Sequence, residues 1–168
     1  MGLEFMRESA NAILFGPNGV GKTTIARNIA YQALVAGHTV RFASAGELLG
    51  ELAAIDSASA LNRRLRHYAG FDLLCLDEVG YLSYSNQQAD LLFELTNRRY
   101  ERKSTVITTN RPFAEWHDVF PNAACVVALV DRLTHNAEVI ALEGQSYRLK
   151  EAQERAELRA QRRKRRKS

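Results

Sequence analysis

Gly16-Pro17-Asn18-Gly19-Val20-Gly21-Lys22-Thr23 has the composition and spacing of a complete phosphate-binding loop. The apolar run Ala12–Phe15 precedes it and a helical pattern follows it, so we expect the loop to join a strand to a helix. Glycines let backbone N–H groups gather round an anion, and the N-terminus of the next helix adds the positive end of its dipole. This stretch therefore predicts a binding site for nucleotide phosphates.

The polar side chains of this loop have separate expected roles. Lys22 would place its positive charge on the β- and γ-phosphates of ATP, and the Thr23 hydroxyl would bind Mg²⁺. The sequence thus predicts ATP and Mg²⁺ as cofactors. A loop of this pattern can also arise by chance, so the strand before it and the helix after it carry part of the argument. The predicted nucleotide-binding residues of the loop are Gly16, Pro17, Asn18, Gly19, Val20, Gly21, Lys22, Thr23 and Thr24.

Apolar runs alternate with helical periodicity along most of the chain, which predicts an α/β fold with a parallel sheet flanked by helices in three layers. Ligands of such folds bind beyond the carboxyl ends of the strands, where the glycine loop is expected to lie. The five predicted strands are Ala12–Phe15, Thr39–Ala43, Phe71–Leu76, Ser104–Thr108 and Glu138–Leu142. The predicted helices are Lys22–Val35, one capped by Ser44 with Glu47 as its capping-box partner, Ser57–Tyr68, Ser85–Tyr100, a short turn or helix over Pro112–His117, and Ala123–Leu133.

Polar residues follow two of these strands. Asp77 could hold Mg²⁺ opposite Thr23, and Glu78 could orient a water molecule and remove its proton. An acidic pair can also simply end a strand at a turn. Asn110, after the next strand, could reach the γ-phosphate or the attacking water, or could begin a turn before Pro112. The residues alone leave these alternatives open.

The positive charge of the chain is concentrated near its C-terminal end. The 168 residues carry a net charge of +4, but residues 148–168 include ten basic and three acidic side chains, so the first 147 residues carry −3. Such a tail predicts salt-dependent contacts with the phosphate backbone of DNA, and the alternative is a solvated terminus that binds polyanions weakly. The candidate DNA contacts in the tail are Arg159, Arg162, Arg163, Lys164, Arg165, Arg166 and Lys167, with Arg63, Arg64 and Arg66 as a second candidate surface or merely an exposed helix face.

The composition, 46% hydrophobic and 25% charged, is ordinary for a globular domain. The longest apolar run, Ala123–Val130, is too short to cross a bilayer, and we expect no membrane partner. Cys75 and Cys125 lie in apolar runs without metal-ligand spacing or a disulfide framework, which favours inert thiols in a reducing environment. With no signal-peptide pattern at the N-terminus, these features predict a cytoplasmic location.

Several motifs in a fixed order resemble those of a known family. The chain is similar to the IstB-type transposition helper ATPases of the AAA+ superfamily, which are related to the DnaC helicase loaders. The resemblance covers about residues 12–150, and it implies a P-loop NTPase with an AAA+ core there, preceded by a short lead (1–11) and followed by a basic tail (151–168). The motifs are Gly16–Thr23, Leu73–Tyr81, Thr108–Asn110, Phe113–Trp116, Asp131–His135 and Ser146–Leu149.

The resemblance also implies roles for three residues. Asn110 matches the sensor-1 position, Arg132 matches an arginine finger that acts on ATP bound by a neighbouring subunit, and Arg148 matches a sensor-2-like arginine. From the residues alone, Arg132 could equally form a weak ion pair with Asp131, and Arg148 could begin the tail. The family pattern implies slow or assembly-dependent ATP hydrolysis, a higher-order oligomer on double-stranded DNA, and a transposase as partner.

The sequence departs from the family pattern in two ways. Family members usually have a further N-terminal region, implicated in closing the adenine pocket, in self-association and in DNA contact, whereas about fifteen residues precede the loop here. We therefore expect a fragment or a truncated copy. Asn18 replaces the usual small residue or proline, at a position that presents its backbone to the ligand. The competing interpretations are a DnaC-like helicase loader and a non-hydrolysing module that binds DNA or a partner.

Overall fold

The computed structural model describes residues 2–81, 83–120, 123–144, 146 and 155. Its strands are β1 (Asn11–Phe15), β2 (Val40–Ser44), β3 (Leu73–Asp77), β4 (Ser104–Thr109) and β5 (Ala137–Ala141). Its helices are α1 (Glu4–Arg7), α2 (Lys22–Val35), α3 (Ala45–Ala53), α4 (Ala58–Gly70), α5 (Asn86–Arg99), α6 (Trp116–Val119, after a 3₁₀ turn at Phe113–Glu115) and α7 (Ala123–Thr134). All strand pairs are parallel, in the order β2-β3-β4-β1-β5.

Helices cover both faces of this sheet because its strands present apolar side chains to both sides. On one face, Leu14 and Cys75 pack with buried residues of α1 and α2. On the other face, Ile13 and Leu76 pack with buried residues of α3 to α7, among them Trp116. Every residue of β3 is buried. The predicted three-layer α/β fold with a five-stranded parallel sheet is confirmed.

The predicted capping box at the start of α3 is not formed. Ser44 is the N-cap residue of α3, as predicted, but its side chain makes no capping hydrogen bond, and Ser44 is also the last residue of β2, paired in register with Asp77. The capping box lies instead at the start of α5, where the Ser85 hydroxyl accepts from the Gln88 N–H and the Gln88 side chain accepts from the Ser85 N–H.

Arg99, at the end of α5, is buried with 2% of its surface exposed. Burial lowers the pKa of its guanidinium group from 12.5 to about 10. Its side chain turns into the protein. It donates hydrogen bonds to the backbone carbonyls of Tyr68, Ala69, Phe71 and Ser104 and to the Thr105 hydroxyl.

In the part of the chain that the structure describes, no helix is long and apolar enough to cross a membrane. Cys75 is buried in the core, and burial raises the pKa of its thiol to about 12. Cys125 is half-buried on α7, where its thiol contacts the Ala89 carbonyl.

Candidate nucleotide-binding site

The glycine loop connects β1 to α2 at the carboxyl end of the sheet, as its sequence predicted. Gly19 and Gly21 have φ angles of +84° and +93°, which favour glycine. A Cβ atom on Gly19 would also lie 2.1 Å from the Ser146 hydroxyl oxygen, and one on Gly16 would lie 2.2 Å from the Leu142 carbonyl oxygen. The backbone conformation therefore favours glycine at positions 19 and 21. The close neighbours leave little space for a side chain at positions 16 and 19.

Lys22 begins α2 and is 9% exposed. Its ammonium group donates to the carbonyl oxygens of Gly16, at 2.6 Å, and of Pro17, at 2.7 Å. Burial lowers the pKa of Lys22, while the nearby charges of Asp77 and Glu78 raise it. The loop thus holds a cationic side chain against its own backbone and close to two acids.

Asp77 is the last residue of β3 and is 8% exposed. Its Oδ1 accepts hydrogen bonds from the hydroxyl of Thr23, at 3.1 Å, and from that of Thr108, at 2.5 Å. Hydroxyl and carboxylate oxygens are hard donors of the kind that Mg²⁺ prefers, so the pair Thr23 and Asp77 fits this ion. Among the described residues, no group of three or more His, Cys, Asp and Glu side chains could hold a metal, so phosphate and water oxygens would have to complete its coordination.

Glu78 follows Asp77 and has an exposed side chain. Its φ angle is +63°, a left-handed conformation that costs a residue other than glycine about 1–2 kcal/mol. Its backbone N–H donates to the Thr108 hydroxyl at 2.8 Å, and the Val79 N–H donates to the Thr108 carbonyl at 2.9 Å. Two successive N–H groups thus bond to one residue of β4, and the chain turns sharply at Glu78.

A cavity of about 540 Å³ lies between the glycine loop and the ends of β3 and β4. This volume is within the usual range for small-molecule sites. Glu78 and Asn110, predicted from separate segments of the sequence, both line it, and the buried Asp77 is hydrogen-bonded to the lining residues Thr23 and Thr108. The lining residues are Asn18, Gly19, Val20, Gly21, Lys22, Thr23, Thr24, Ile25, Glu78, Tyr81, Thr108, Thr109 and Asn110.

Arg132 lies elsewhere, on α7, and is not among the residues that line this cavity. Its guanidinium group lies over the rings of Phe93, at 5.2 Å from the centroid, and Tyr100, at 5.5 Å. The sequence suggests an ion pair of Arg132 with Asp131 and does not predict these contacts with the two aromatic rings. The role of Arg132 at the site of a neighbouring subunit stays a prediction.

Only some of the basic residues that were predicted as functional lie among the described residues. Arg64 pairs with Glu51 at 2.6 Å, while Arg63 and Arg66 on the same helix are exposed. The predicted sensor-2-like Arg148 lies outside the described residues. So do all seven tail candidates, Arg159, Arg162, Arg163, Lys164, Arg165, Arg166 and Lys167.

Four residues that line this cavity were not predicted from the sequence as site residues: Ile25, Tyr81, Thr108 and Thr109. Thr108 was recognised as part of a polar segment at the end of β4, but its bonds to Asp77 and Glu78 follow only from the pairing of β3 with β4. Tyr81 lines the cavity and is 51% exposed. The sequence indicates it only as the last residue of the motif Leu73–Tyr81.

Comparison with known proteins identifies the family. The family described as IstB-like ATP binding protein matches residues 1–155. An ATP-binding protein of insertion sequence IS21 from Pseudomonas aeruginosa is 41% identical over 150 residues, which are 89% of this chain and 57% of that protein. Its counterpart of IS232 from Bacillus thuringiensis subsp. berliner is 38% identical over 149 residues, 89% of this chain and 60% of that protein. The chain thus spans less than two thirds of the length of these relatives.

Solved structures show the same fold. The crystal structure of the DnaC helicase loader matches with a TM-score of 0.67 at 22% identity, covering 83% of this chain and 84% of that one. At this identity the likeness establishes the fold and no more, and it agrees with the predicted three-layer α/β fold. Together with the family match over most of its length, this fold and this loop show that the chain belongs to the IstB-like ATP-binding protein family.

Proposed function

We propose that this chain binds ATP with Mg²⁺ and hydrolyses it, as an ATP-dependent DNA-binding helper in transposition. One observation carries the proposal: a phosphate-binding lysine, two oxygen donors for Mg²⁺, an acid and an amide all lie around one cavity. These groups are Lys22, Thr23, Asp77, Glu78 and Asn110. The names of the relatives, ATP-binding proteins of insertion sequences, support the context of transposition.

Each group has a separate role in the proposed hydrolysis. Lys22 and the loop N–H groups bind the phosphates, and Thr23 and Asp77 would hold Mg²⁺ through a hydroxyl and a carboxylate oxygen. When bound, the ion neutralises charge on the β- and γ-phosphates. Glu78 orients a water molecule, which attacks the γ-phosphorus and gives its proton to the carboxylate while ADP leaves. The Asn110 amide contacts the γ-phosphate.

The test is phosphate release measured against protein concentration, with and without duplex DNA. We expect the rate per subunit to rise with concentration, because the proposed site is completed by Arg132 of a neighbouring subunit. Lys22→Ala is the negative control, since it removes the phosphate-binding charge. A wild-type rate no higher than that of Lys22→Ala at every concentration would reject the proposed hydrolysis.

We propose that the basic tail contributes the DNA contacts. Counterion release makes such binding fall by roughly 0.9 log units per contact for each tenfold increase in salt. Deleting residues 159–168 should therefore weaken binding to duplex DNA and flatten its salt dependence. The double variant Arg63→Ala, Arg66→Ala tests the second surface in the same assay. Unchanged binding of the deletion at low and at moderate salt would contradict a role for the tail.

The proposed partner is a transposase, because the matching relatives are encoded in insertion sequences. The alternative of a helicase loader has the fold of DnaC in its favour, but that likeness extends to the fold alone. A pull-down with the transposase of the same insertion sequence and with a replicative helicase distinguishes them, and retention of the helicase alone would overturn the transposase proposal. The predicted cytoplasmic location and division into lead, core and tail stay predictions.

A further inference from the structure

We propose that Thr108 is a positioning residue for the proposed ATP hydrolysis, because its single hydroxyl group fixes both the Mg²⁺-binding carboxylate and the backbone of the general base. This inference rests on the proposed function. Thr108 lies in β4 and is 1% exposed. Its hydroxyl lies within hydrogen-bond distance of the Asp77 carboxylate and of the Glu78 N–H.

The hydroxyl of Thr108 donates to Asp77 Oδ1 at 2.5 Å and accepts from the Glu78 N–H at 2.8 Å. Since a hydroxyl has one proton and two lone pairs, it can satisfy both partners at once. The donated bond holds Asp77 beside the Thr23 hydroxyl, which bonds to the same carboxylate oxygen. The accepted bond holds the peptide on which the Glu78 side chain is mounted.

The backbone of Glu78 needs such support. Its φ angle of +63° is unfavourable for glutamate, and strained residues keep their conformation only where the surrounding structure imposes it. Thr108 supplies two acceptors for this turn, its hydroxyl for the Glu78 N–H and its carbonyl for the Val79 N–H. A substitution of Thr108 that removes the hydroxyl keeps the backbone carbonyl. It would weaken the support of the Glu78 backbone and leave β4 intact.

Thr108→Val is that substitution, since valine has nearly the same shape and no hydrogen-bonding group. We expect kcat for ATP hydrolysis to fall about 10- to 100-fold, as is typical when the support of a ligating or catalytic side chain is lost. The affinity for a non-hydrolysable ATP analogue should change little, because the loop and Lys22 are untouched. Thr108→Ser keeps the hydroxyl and should restore most of kcat.

Thr105→Val is the matched control, because it also removes a buried hydroxyl from β4. Thr105 is 5% exposed and accepts from Arg99 at the other end of the strand. Its variant should lower thermal stability and leave kcat close to that of the wild type. Equal losses of kcat in Thr105→Val and Thr108→Val would show a general effect of destabilisation and overturn the inference, as would an unchanged kcat in Thr108→Val.

Hydrogen exchange of the Glu78 amide gives a readout besides activity. NMR should show slow exchange in the wild type and in Thr108→Ser, and fast exchange in Thr108→Val. Fast exchange in the wild type would overturn the inference. A wild type without ATPase activity would reject the proposed function, and the amide exchange would still show whether Thr108 holds this turn.

Discussion

Glu78→Gln should lower the steady-state rate of ATP hydrolysis by about 10²–10⁴-fold, because an amide cannot accept the proton of the attacking water. Glutamine has the size of glutamate, and the exposed position of the side chain leaves the packing unchanged. The phosphate-binding loop, Lys22 and Thr23 stay in place, so ATP binding should be retained. Phosphate release at saturating ATP and titration with a fluorescent non-hydrolysable analogue measure the two effects separately.

Glu51→Gln is a matched control for this experiment. It makes the same chemical change at a glutamate that bonds to Arg64 and Tyr68, away from the residues that line the cavity. Its rate should stay close to that of the wild type. Equal rates for Glu78→Gln and the wild type would remove Glu78 as general base. A wild type without turnover would favour the non-hydrolysing module that binds DNA or a partner.

Arg132→Ala should lower ATP turnover by about 10³–10⁵-fold at assembling concentrations, the range known for arginines that complete a neighbour's nucleotide site. In the structure its guanidinium group is held over the rings of Phe93 and Tyr100 and is not part of its own subunit's cavity. These contacts orient the arginine on the surface of α7 before any neighbour binds. The measurement is phosphate release over a range of protein concentrations.

Mixing variants tests whether Arg132 acts between subunits. Arg132→Ala keeps an intact loop and Lys22→Ala keeps an intact arginine, so a mixture contains some complete shared sites and should recover part of the activity. Arg98→Ala is the control, since it also removes an arginine, one that pairs with Glu94 on the same helix. Failure of the mixture to recover activity, at concentrations where the subunits assemble, would exclude action on a neighbour.

Much of the fold could be predicted because apolar runs mark buried strands. The predicted strand Ser104–Thr108 is one residue shorter than β4, and Glu138–Leu142 is displaced from β5 by one residue. The order of the strands could not be predicted, since β4 lies between β3 and β1 through contacts far apart in the sequence. The loop, the acids and Asn110 could be chosen as candidates because each follows a strand that ends at the same edge of a parallel sheet.

The features that could not be predicted depend on contacts between residues that are far apart in the sequence and adjacent in the fold. Thr108 looked like one polar residue among several, and only the pairing of β3 with β4 brings its hydroxyl to Asp77 and Glu78. Arg99 is one of three arginines between residues 98 and 102, and the sequence does not distinguish it from the other two. Its burial depends on backbone carbonyl groups of α4 and β4 that accept hydrogen bonds from its guanidinium group.

The bonds of Arg99 tie together elements that are separate in the sequence. Its side chain reaches the carbonyls of Tyr68 and Phe71 near the end of α4 and that of Ser104 at the start of β4. If α5 detached at this end, Arg99 and these carbonyls would lose several hydrogen bonds at once. Local opening of that helix is therefore suppressed, and we expect α4, α5 and β4 to unfold as one cooperative unit.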